Sequence, residues 1–328
     1  MARNFIILDF LNMAFRAKHM SYQNSGVDMQ IGLAMHTILN SIKFSYEKYK
    51  GSHLVVCLEG RSWRKDVFPG YKLNRKVKLL GRTQKEQDDD EIFFEAINEF
   101  CKYLDEKTNA TVLRCPVAEA DDMVSMWIDS HPEDNHYIVS TDSDFFQLLS
   151  KNVEIYNGVT EQRITLGGVF DKLDKPVLDK NGVEKGKIDP EYVLFEKCIR
   201  GDSSDNIFSA YPGVRVKGSK NKVGIIEAFD DRHNKGFAWN NFLMQKWIDE
   251  NGVENLVKDK YEFNKKLIDL HEQPEDVRSK CLEAISIAVE KPPVQNVGSY
   301  FLKFCTLHRL KKVLDYPDAY ARILNAKY

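Results

Sequence analysis

Nowhere in the chain do 18 apolar residues run together, and the apolar N-terminal stretch Phe5 to Leu8 is stopped by Asp9. We therefore expect neither a membrane span nor a signal peptide. The six cysteines (Cys57, Cys101, Cys115, Cys198, Cys281, Cys305) form no C-x-x-C pair and have no histidine at zinc-ligand spacing. A disulfide framework and a zinc finger are thereby excluded, and the thiols read as small core hydrophobes in a reducing cytoplasm. An excess of charge of either sign is also missing, the formal net charge being -2. That balance argues against a uniformly basic nucleic-acid binder, but whole-chain charge averages over poles of opposite sign. Internal repeats and long low-complexity stretches are absent too.

What is present is an ordinary globular composition, 43% apolar and 29% charged over 328 residues, enough for one large domain or two of roughly 150 residues. Runs of strand length and β-branched character lie at Phe5 to Asp9, Leu54 to Glu59, Thr111 to Cys115, Tyr137 to Asp142 and Val153 to Tyr156. Helical periodicity separates them, at Ile31 to Tyr49, Glu91 to Leu104, Asp121 to Ile128 and Phe145 to Leu149. Apolar strands alternating with helices predict an α/β fold with a mostly parallel central sheet flanked by helices. Around Asp171 to Asp189 the texture turns charged, with an Asn181-Gly182 turn pair, and the domain boundary is expected there. Beyond it helical patterns follow at Pro190 to Ile199, Val223 to Phe229, Trp239 to Asp249, Lys258 to Leu270 and Glu275 to Val289, before Pro292-Pro293 opens a C-terminal tail.

Ligands of such a sheet bind beyond the carboxyl ends of its strands. Asp9, Glu59 and Asp142 fall at those ends, and Glu119 follows a strand by four residues. Acids cluster at Glu119-Ala-Asp121-Asp122, Asp142-Ser-Asp144 and Asp202-Ser-Ser-Asp205. Each cluster alone suits a helix cap or a turn. Together they would crowd nine acids on one rim, a repulsion that cations must neutralise. Mg2+ or Mn2+ suits an all-oxygen donor set.

From Arg61 to Lys85 nine Lys and Arg stand against the single acid Asp66. With Trp63, Phe68 and Tyr71 among them, the stretch reads as a place for phosphate contact and base stacking. In Tyr211-Pro-Gly-Val-Arg-Val-Lys-Gly-Ser219, glycines and a following helix start can present amides to phosphate, and Arg215, Lys217, Lys220 and Lys222 surround the turn.

These motifs, from Ile6 to about Phe229, resemble the structure-specific 5'-nuclease (flap endonuclease) family. The Asp9 strand end, the Tyr71-Lys72-x-x-Arg75 element, E-A-D-D at Glu119 to Asp122, S-T-D-x-D at Ser140 to Asp144, and G-D-x-x-D-N with its P-G-V turn at Gly201 to Lys217 carry the likeness. The phage ribonuclease H and 5'-3' exonuclease branch is the most similar, from the chain length, the Ile38 to Phe44 helix and the Pro-Pro-containing tail with Ser299-Tyr-Phe301. The resemblance implies a PIN-like nuclease core over 1–180 with a helical arch at about 72–104. Residues 181–328 would be a helical DNA-binding part, with a helix-three-turn-helix at about 190–230. It implies two Mg2+ ions, with Mn2+ able to substitute, held by Asp9, Glu59, Glu119, Asp121, Asp122, Asp142, Asp144, Asp202 and Asp205. It also leaves room for a monovalent cation at the helix-three-turn-helix. Lys72 and Arg75 would act on the scissile phosphate. Arg16, Lys18, Tyr71, Gly213, Arg215, Lys217, Gly218, Lys220 and Lys222 would join them in holding nucleic acid. Glu59 stands where the family more often has Asp, and no C-terminal Q-x-x-φ-x-x-aromatic-aromatic box is present.

The expected activity is metal-dependent 5'-3' exonuclease and flap endonuclease cleavage of DNA, or of RNA primers paired to DNA (ribonuclease H activity), during replication. The expected setting is a cytoplasmic monomer, in the host cell if phage-encoded, with single-stranded-DNA-binding protein or a sliding clamp as candidate partners. A non-catalytic DNA-junction-binding protein and a PIN-type ribonuclease are the alternatives.

Overall fold

The computed structural model describes residues 2–20, 26–220 and 222–328. Strands β1 (Asn4–Asp9), β2 (His53–Leu58), β3 (Thr111–Arg114), β4 (Asn135–Val139), β5 (Val153–Asn157), β6 (Gln162–Thr165) and β7 (Gly168–Phe170) form one sheet in the order β3-β2-β1-β4-β5-β6-β7. The first five pair in parallel; β6 and β7 complete the sheet as an antiparallel meander. Parallel strands need covered crossovers. Here α1 (Phe10–Met20), α2 (Val27–Lys48), α5 (Gln84–Lys107) and α6 (Ala120–Ser130) provide them, with the short α3 (Arg64–Val67) and α4 (Leu73–Leu80) between β2 and α5. The chain leaves β1 toward β2 and β3, then returns to β4 on the other side. That reversal at β1/β4 is the switch point at which such sheets offer a crevice.

Two compact units divide the chain: residues 1–63, 82–188 and 274–328, and residues 64–81 and 189–273. The first unit holds the sheet. Its core joins Ile6, Leu8, Ile38, Leu54, Phe93 and Phe100 to Phe301, Phe304, Ile323 and Leu324. The C-terminal tail is therefore three helices, α12 (Val297–Leu307), α13 (Lys311–Leu314) and α14 (Pro317–Leu324), packed on the core of the sheet unit with α11 (Glu275–Val289) ahead of them. Sequence pattern alone groups these residues with the helical second part, whereas their apolar faces belong to the core of the sheet unit. The second unit contains α3, α4, α7 (Pro190–Arg200), α8 (Ile225–Asp230), α9 (Phe237–Leu243), the hairpin β8 (Lys246–Ile248) and β9 (Glu254–Leu256), and α10 (Val257–Ile268). Its core is aromatic, around Phe195, Phe229, Trp239 and Phe242.

Several elements differ from expectation for identifiable reasons. The fourth strand stops at Val139, because the Ser140 hydroxyl donates to Asp9 (2.8 Å) and accepts from the Asp142 amide (3.0 Å), which turns the chain out of the ladder. Phe145 to Leu149 becomes a 3-10 turn over Ser143–Leu148 capped by Asp142. The helix expected over Trp239 to Asp249 ends at Leu243 and gives way to β8, whose hairpin closes on Asn251-Gly252, with Gly252 at φ 78°. Helix α5 begins seven residues earlier than Glu91, at a Thr83/Glu86 capping box in which the Thr83 amide donates to Glu86 (2.8 Å) and the Glu86 amide to Thr83 (3.3 Å). The Asn181-Gly182 pair forms the tip of the expected turn, with the Asp179 amide donating to the Val183 carbonyl (2.7 Å). All six cysteines are free and buried. Among the described residues no helix is long and apolar enough to cross a membrane.

Candidate metal centre and nucleic-acid interface

At the carboxyl end of β1, Asp9 is buried and its carboxylate accepts from Ser140. Burial first, and then the charges of Glu59 and Asp142, push its carboxyl up to about 7. Three acids from three strand ends therefore sense one another at the switch point. Asp142 itself is exposed and accepts from the Asp144 amide (3.0 Å). Asn12, one turn into α1, receives the Thr141 hydroxyl (2.9 Å) and fixes the loop that carries both aspartates.

Glu119, Asp121 and Asp122 open α6, and each offers a carboxylate oxygen such that all three lie within 4.8 Å of one another. Each of them, and Glu59, also does the capping work that their position at a helix N-terminus suggests. Glu59 accepts from the Ala120 amide (3.1 Å), Asp122 from the Glu119 amide (3.0 Å) and Asp121 from the Asp122 amide (2.8 Å). Capping does not exclude metal holding, since a carboxylate has two oxygens with several lone pairs and can accept an amide and bind a cation together. The donor set is oxygen only, which fits a hard divalent cation such as Mg2+ or Mn2+. The segment after β2 lies along the approach to α6: the Gly60 amide donates to Ala118 (2.9 Å), Arg61 to Pro116 (3.0 Å) and Trp63 to Val117 (3.1 Å). Gly60 is required there, because a Cβ would fall 1.9 Å from the Cys115 carbonyl oxygen. Ser62 carries no signal in the sequence and Trp63 reads there as a base-stacking aromatic, yet their side chains reach Glu119 (2.8 Å) and Asp122 (3.2 Å).

In the second unit Asp205 is the hub. The Tyr71 hydroxyl donates to it (2.9 Å), the Arg75 guanidinium binds it at 2.5 Å, the Lys72 ammonium stands 3.6 Å away, and the Lys72 amide donates to its carbonyl (2.9 Å). Lys72 adopts φ 56°, a left-handed conformation uncommon for a side-chain-bearing residue, at the start of α4. Asp202 pairs with Lys197 (2.9 Å); burial raises its carboxyl, but Lys197 and Ser204 outweigh this and hold it below the usual carboxylate range. Asp144, in the first unit, is half-buried.

The basic stretch differs from its sequence reading. Trp63 and Tyr71 are buried and Phe68 packs edge-on against Phe263, so these aromatics are core and hydrogen-bonding groups rather than a stacking platform for bases. Arg64 is 1% exposed and donates to the Leu267 carbonyl (2.7 Å). Lys18 binds Asp90, which also takes Arg82, and lies over the Phe93 ring; burial, then Arg82, lower its pKa. Arg16 is exposed on α1.

In the turn before α8, Arg215, Lys217, Lys220 and Lys222 are exposed, and Gly213 adopts φ 72°. The Gly218 and Gly224 amides do not point at solvent: both donate to Glu227 (3.0 Å to one of its oxygens). The amides expected to cradle phosphate are therefore partly used to pin the turn to α8, leaving the exposed cations as its outward feature.

Residues 4–174 match the family described as "5'-3' exonuclease, N-terminal resolvase-like domain". Among relatives, the chain is 29% identical to a flap endonuclease of Escherichia phage T5 over 69% of this chain and 70% of that one. It is 24% identical to a 5'-3' exonuclease of Mycoplasmopsis pulmonis over 97% of each, and 25% identical to a ribonuclease H of Enterobacteria phage T4 over 90% of each. Among solved structures, a complex of the bacteriophage T5 flap endonuclease with DNA and metal ions superposes with a TM-score of 0.59 at 23% identity, covering 88% of this chain and all of that one. The last likeness is one of fold.

Proposed function

This chain belongs to the 5'-3' exonuclease family, and from that premise we propose that it is a divalent-metal-dependent phosphodiesterase acting near the 5' end of a DNA strand, or of an RNA primer, in flap or nicked duplexes. The observation that carries the proposal is the approach of the buried Asp9 to Glu59 and Asp142 at the strand ends, together with the close group of Glu119, Asp121 and Asp122 at the start of α6. Burying several acids together is unfavourable unless the site serves a cation.

In this reading Asp9, Glu59, Glu119, Asp121, Asp122 and Asp142 hold the first Mg2+, and Asp202 and Asp205 contribute to the second. When bound, the ions would supply a nucleophilic water at neutral pH and positive charge at the leaving oxygen. The chain's own residues do the rest. Lys72 and Arg75 place cationic charge on the scissile phosphate, where charge develops in the transition state. The left-handed backbone at Lys72 fixes where that ammonium starts. Arg16 steadies a neighbouring phosphate, while Arg215, Lys217, Lys220 and Lys222 grip duplex backbone without reading sequence. Specificity then follows junction shape.

The test is cleavage of 5'-end-labelled flap, nicked, gapped and RNA-primed duplexes in Mg2+ by wild type, Asp142→Ala and Lys72→Ala. We expect loss of product for Asp142→Ala and a fall of about 10²–10³ in rate for Lys72→Ala, the size typical of removing one group that stabilises developing charge. Undiminished cleavage by Asp142→Ala would sink the site assignment.

A further inference from the structure

We infer that Ser62 and Trp63 are positioning residues for the metal-holding carboxylates, an inference that rests on the metal-site reading above. Glu119 and Asp122 are 5% and 0% exposed, and each receives a hydrogen bond from a side chain on the segment after β2. Ser62 Oγ donates to Glu119 Oε2 at 2.8 Å, and Trp63 Nε1 donates to Asp122 Oδ2 at 3.2 Å. Both donors are themselves buried, at 3% and 4% exposure, so water does not compete for the carboxylates at those points.

The chemistry of the two donors is the informative part. A lysine or arginine at either place would neutralise the acid cluster and weaken its hold on a cation. A hydroxyl and an indole N–H orient an oxygen while leaving the negative charge intact. The indole is the stricter of the two, because its N–H is its only polar group and can only donate. A donor on one oxygen of each carboxylate fixes the carboxylate plane, and with it the direction in which the second oxygen lies. The oxygens that Glu119, Asp121 and Asp122 can offer a cation lie within 4.8 Å of one another.

The backbone explains why these two side chains arrive in register. Donations from Gly60, Arg61 and Trp63 to Ala118, Pro116 and Val117 lay the segment along the chain leading into α6. Close approach at Gly60, where a Cβ would also meet the Ala118 carbonyl oxygen at 2.7 Å, allows no slack. Glu59, at the start of the same segment, accepts from the Ala120 amide. One strand end therefore delivers an acid and two neutral donors to the N-terminus of α6. Hydrogen-bonding partners of metal ligands commonly contribute 10–100-fold in metal affinity or activity.

The experiment measures Mn2+ binding to the full-length protein by calorimetry and by loss of the free-ion electron paramagnetic resonance signal, alongside cleavage as a function of Mg2+ concentration. Its variants are Trp63→Phe, Ser62→Ala, Ser62→Thr and Glu119→Gln. Expected are roughly 10-fold weaker Mn2+ binding for Trp63→Phe and Ser62→Ala, a matching rise in the Mg2+ concentration for half-maximal cleavage, and a rate at saturating Mg2+ that recovers toward wild type. Ser62→Thr, which keeps the hydroxyl, should bind Mn2+ like wild type. Equal Mn2+ affinity in all three variants, with Glu119→Gln weakened, would overturn the positioning role and leave the metal site standing. Failure of the wild type itself to bind Mn2+ would overturn both. A rate deficit that Mg2+ does not rescue, at unchanged Mn2+ affinity, would assign Trp63 a purely structural part and likewise overturn the inference.

Discussion

His136 gives a pH test of the sheet core with a calculable size. It sits on β4 with no exposed surface, its ring stacked near Phe5 at 5.7 Å, and its Nε2 lies 2.9 Å from the His131 carbonyl oxygen. A carbonyl only accepts, so Nε2 carries the proton; Nδ1 has no hydrogen-bond partner. A second proton would put a charge on a buried atom facing no acceptor. Burial, opposed by the bond to His131, lowers the pKa from 6.5 to about 4. At about 1.4 kcal/mol per tenfold change in proton affinity, this difference is worth ~3 kcal/mol. The sign follows from which state binds the proton: between pH 6.5 and 4 the unfolded imidazole is protonated and the folded one is not. Stability from this group is complete above about pH 6.5 and is lost as the pH falls to about 4. Asp9 opposes it, because a carboxyl raised to about 7 in the fold gains protons there first and adds stability as pH falls. The effect must therefore be read as a difference. Urea unfolding of wild type and His136→Gln, whose amide can still donate to His131, should show the wild-type advantage shrinking by ~3 kcal/mol from pH 7 to pH 4. It should stay constant above pH 7. A difference that does not change with pH, or a His136 imidazole titrating near 6.5 by NMR in the folded protein, would refute the reasoning.

Phe301→Ala should destabilise the sheet unit by about 3–5 kcal/mol in urea unfolding, since Phe301 is fully buried in the same core as β1 and β2. Gly60→Ala should cost on the order of 1–3 kcal/mol and reduce cleavage, because the added Cβ collides with the Cys115 and Ala118 carbonyls; equal stability by the same assay would show that the segment can shift. Glu227→Gln should speed amide hydrogen exchange at Gly218 and Gly224, roughly fivefold for about 1 kcal/mol lost, as both amides donate to its carboxylate. The double variant Arg215→Gln, Lys217→Gln should lower the salt dependence of duplex binding by about 1.8 in log-log slope, with both side chains exposed; an unchanged slope would remove the turn from the binding surface.

The parallel sheet was legible because its strands are short apolar runs separated by helical periodicity, and a buried parallel strand needs nothing more than that. The antiparallel meander β6 and β7 was not, since Gln162 to Phe170 mixes polar and apolar residues on an edge that is only partly covered. The β8 hairpin was hidden by the tryptophans at 239 and 247, which suit a helix face as well as a strand; Asn251-Gly252 was the signal that separated the two. The acid clusters of the proposed site stand out in the sequence because acids at strand ends have few structural reasons to accumulate. Their partners do not. A serine within a basic stretch looks like surface and a tryptophan there like a stacking platform for bases, and only the ladder from Gly60 to Ala118 turns them inward. The same geometry removed Tyr71 and Trp63 from the aromatics available for stacking on bases.

The return of residues 274–328 to the sheet unit has a bearing on how the protein is made. As the chain leaves the ribosome, β1 to β7 emerge first, but Phe301, Phe304 and Leu324, which seal one side of that sheet, are added last. The Asn109 amide, ahead of β3, likewise waits for the Leu324 carbonyl (2.8 Å). Residues 189–273 of the second unit are synthesised in between and close their own aromatic core, from residues 192–261, without that wait. A nascent sheet with an uncovered apolar face is a species that aggregates or recruits chaperones. Translation should therefore pass through a stage in which residues 189–273 are folded and the sheet is not, the strand-end acids taking up their places only once the final helices cover the sheet.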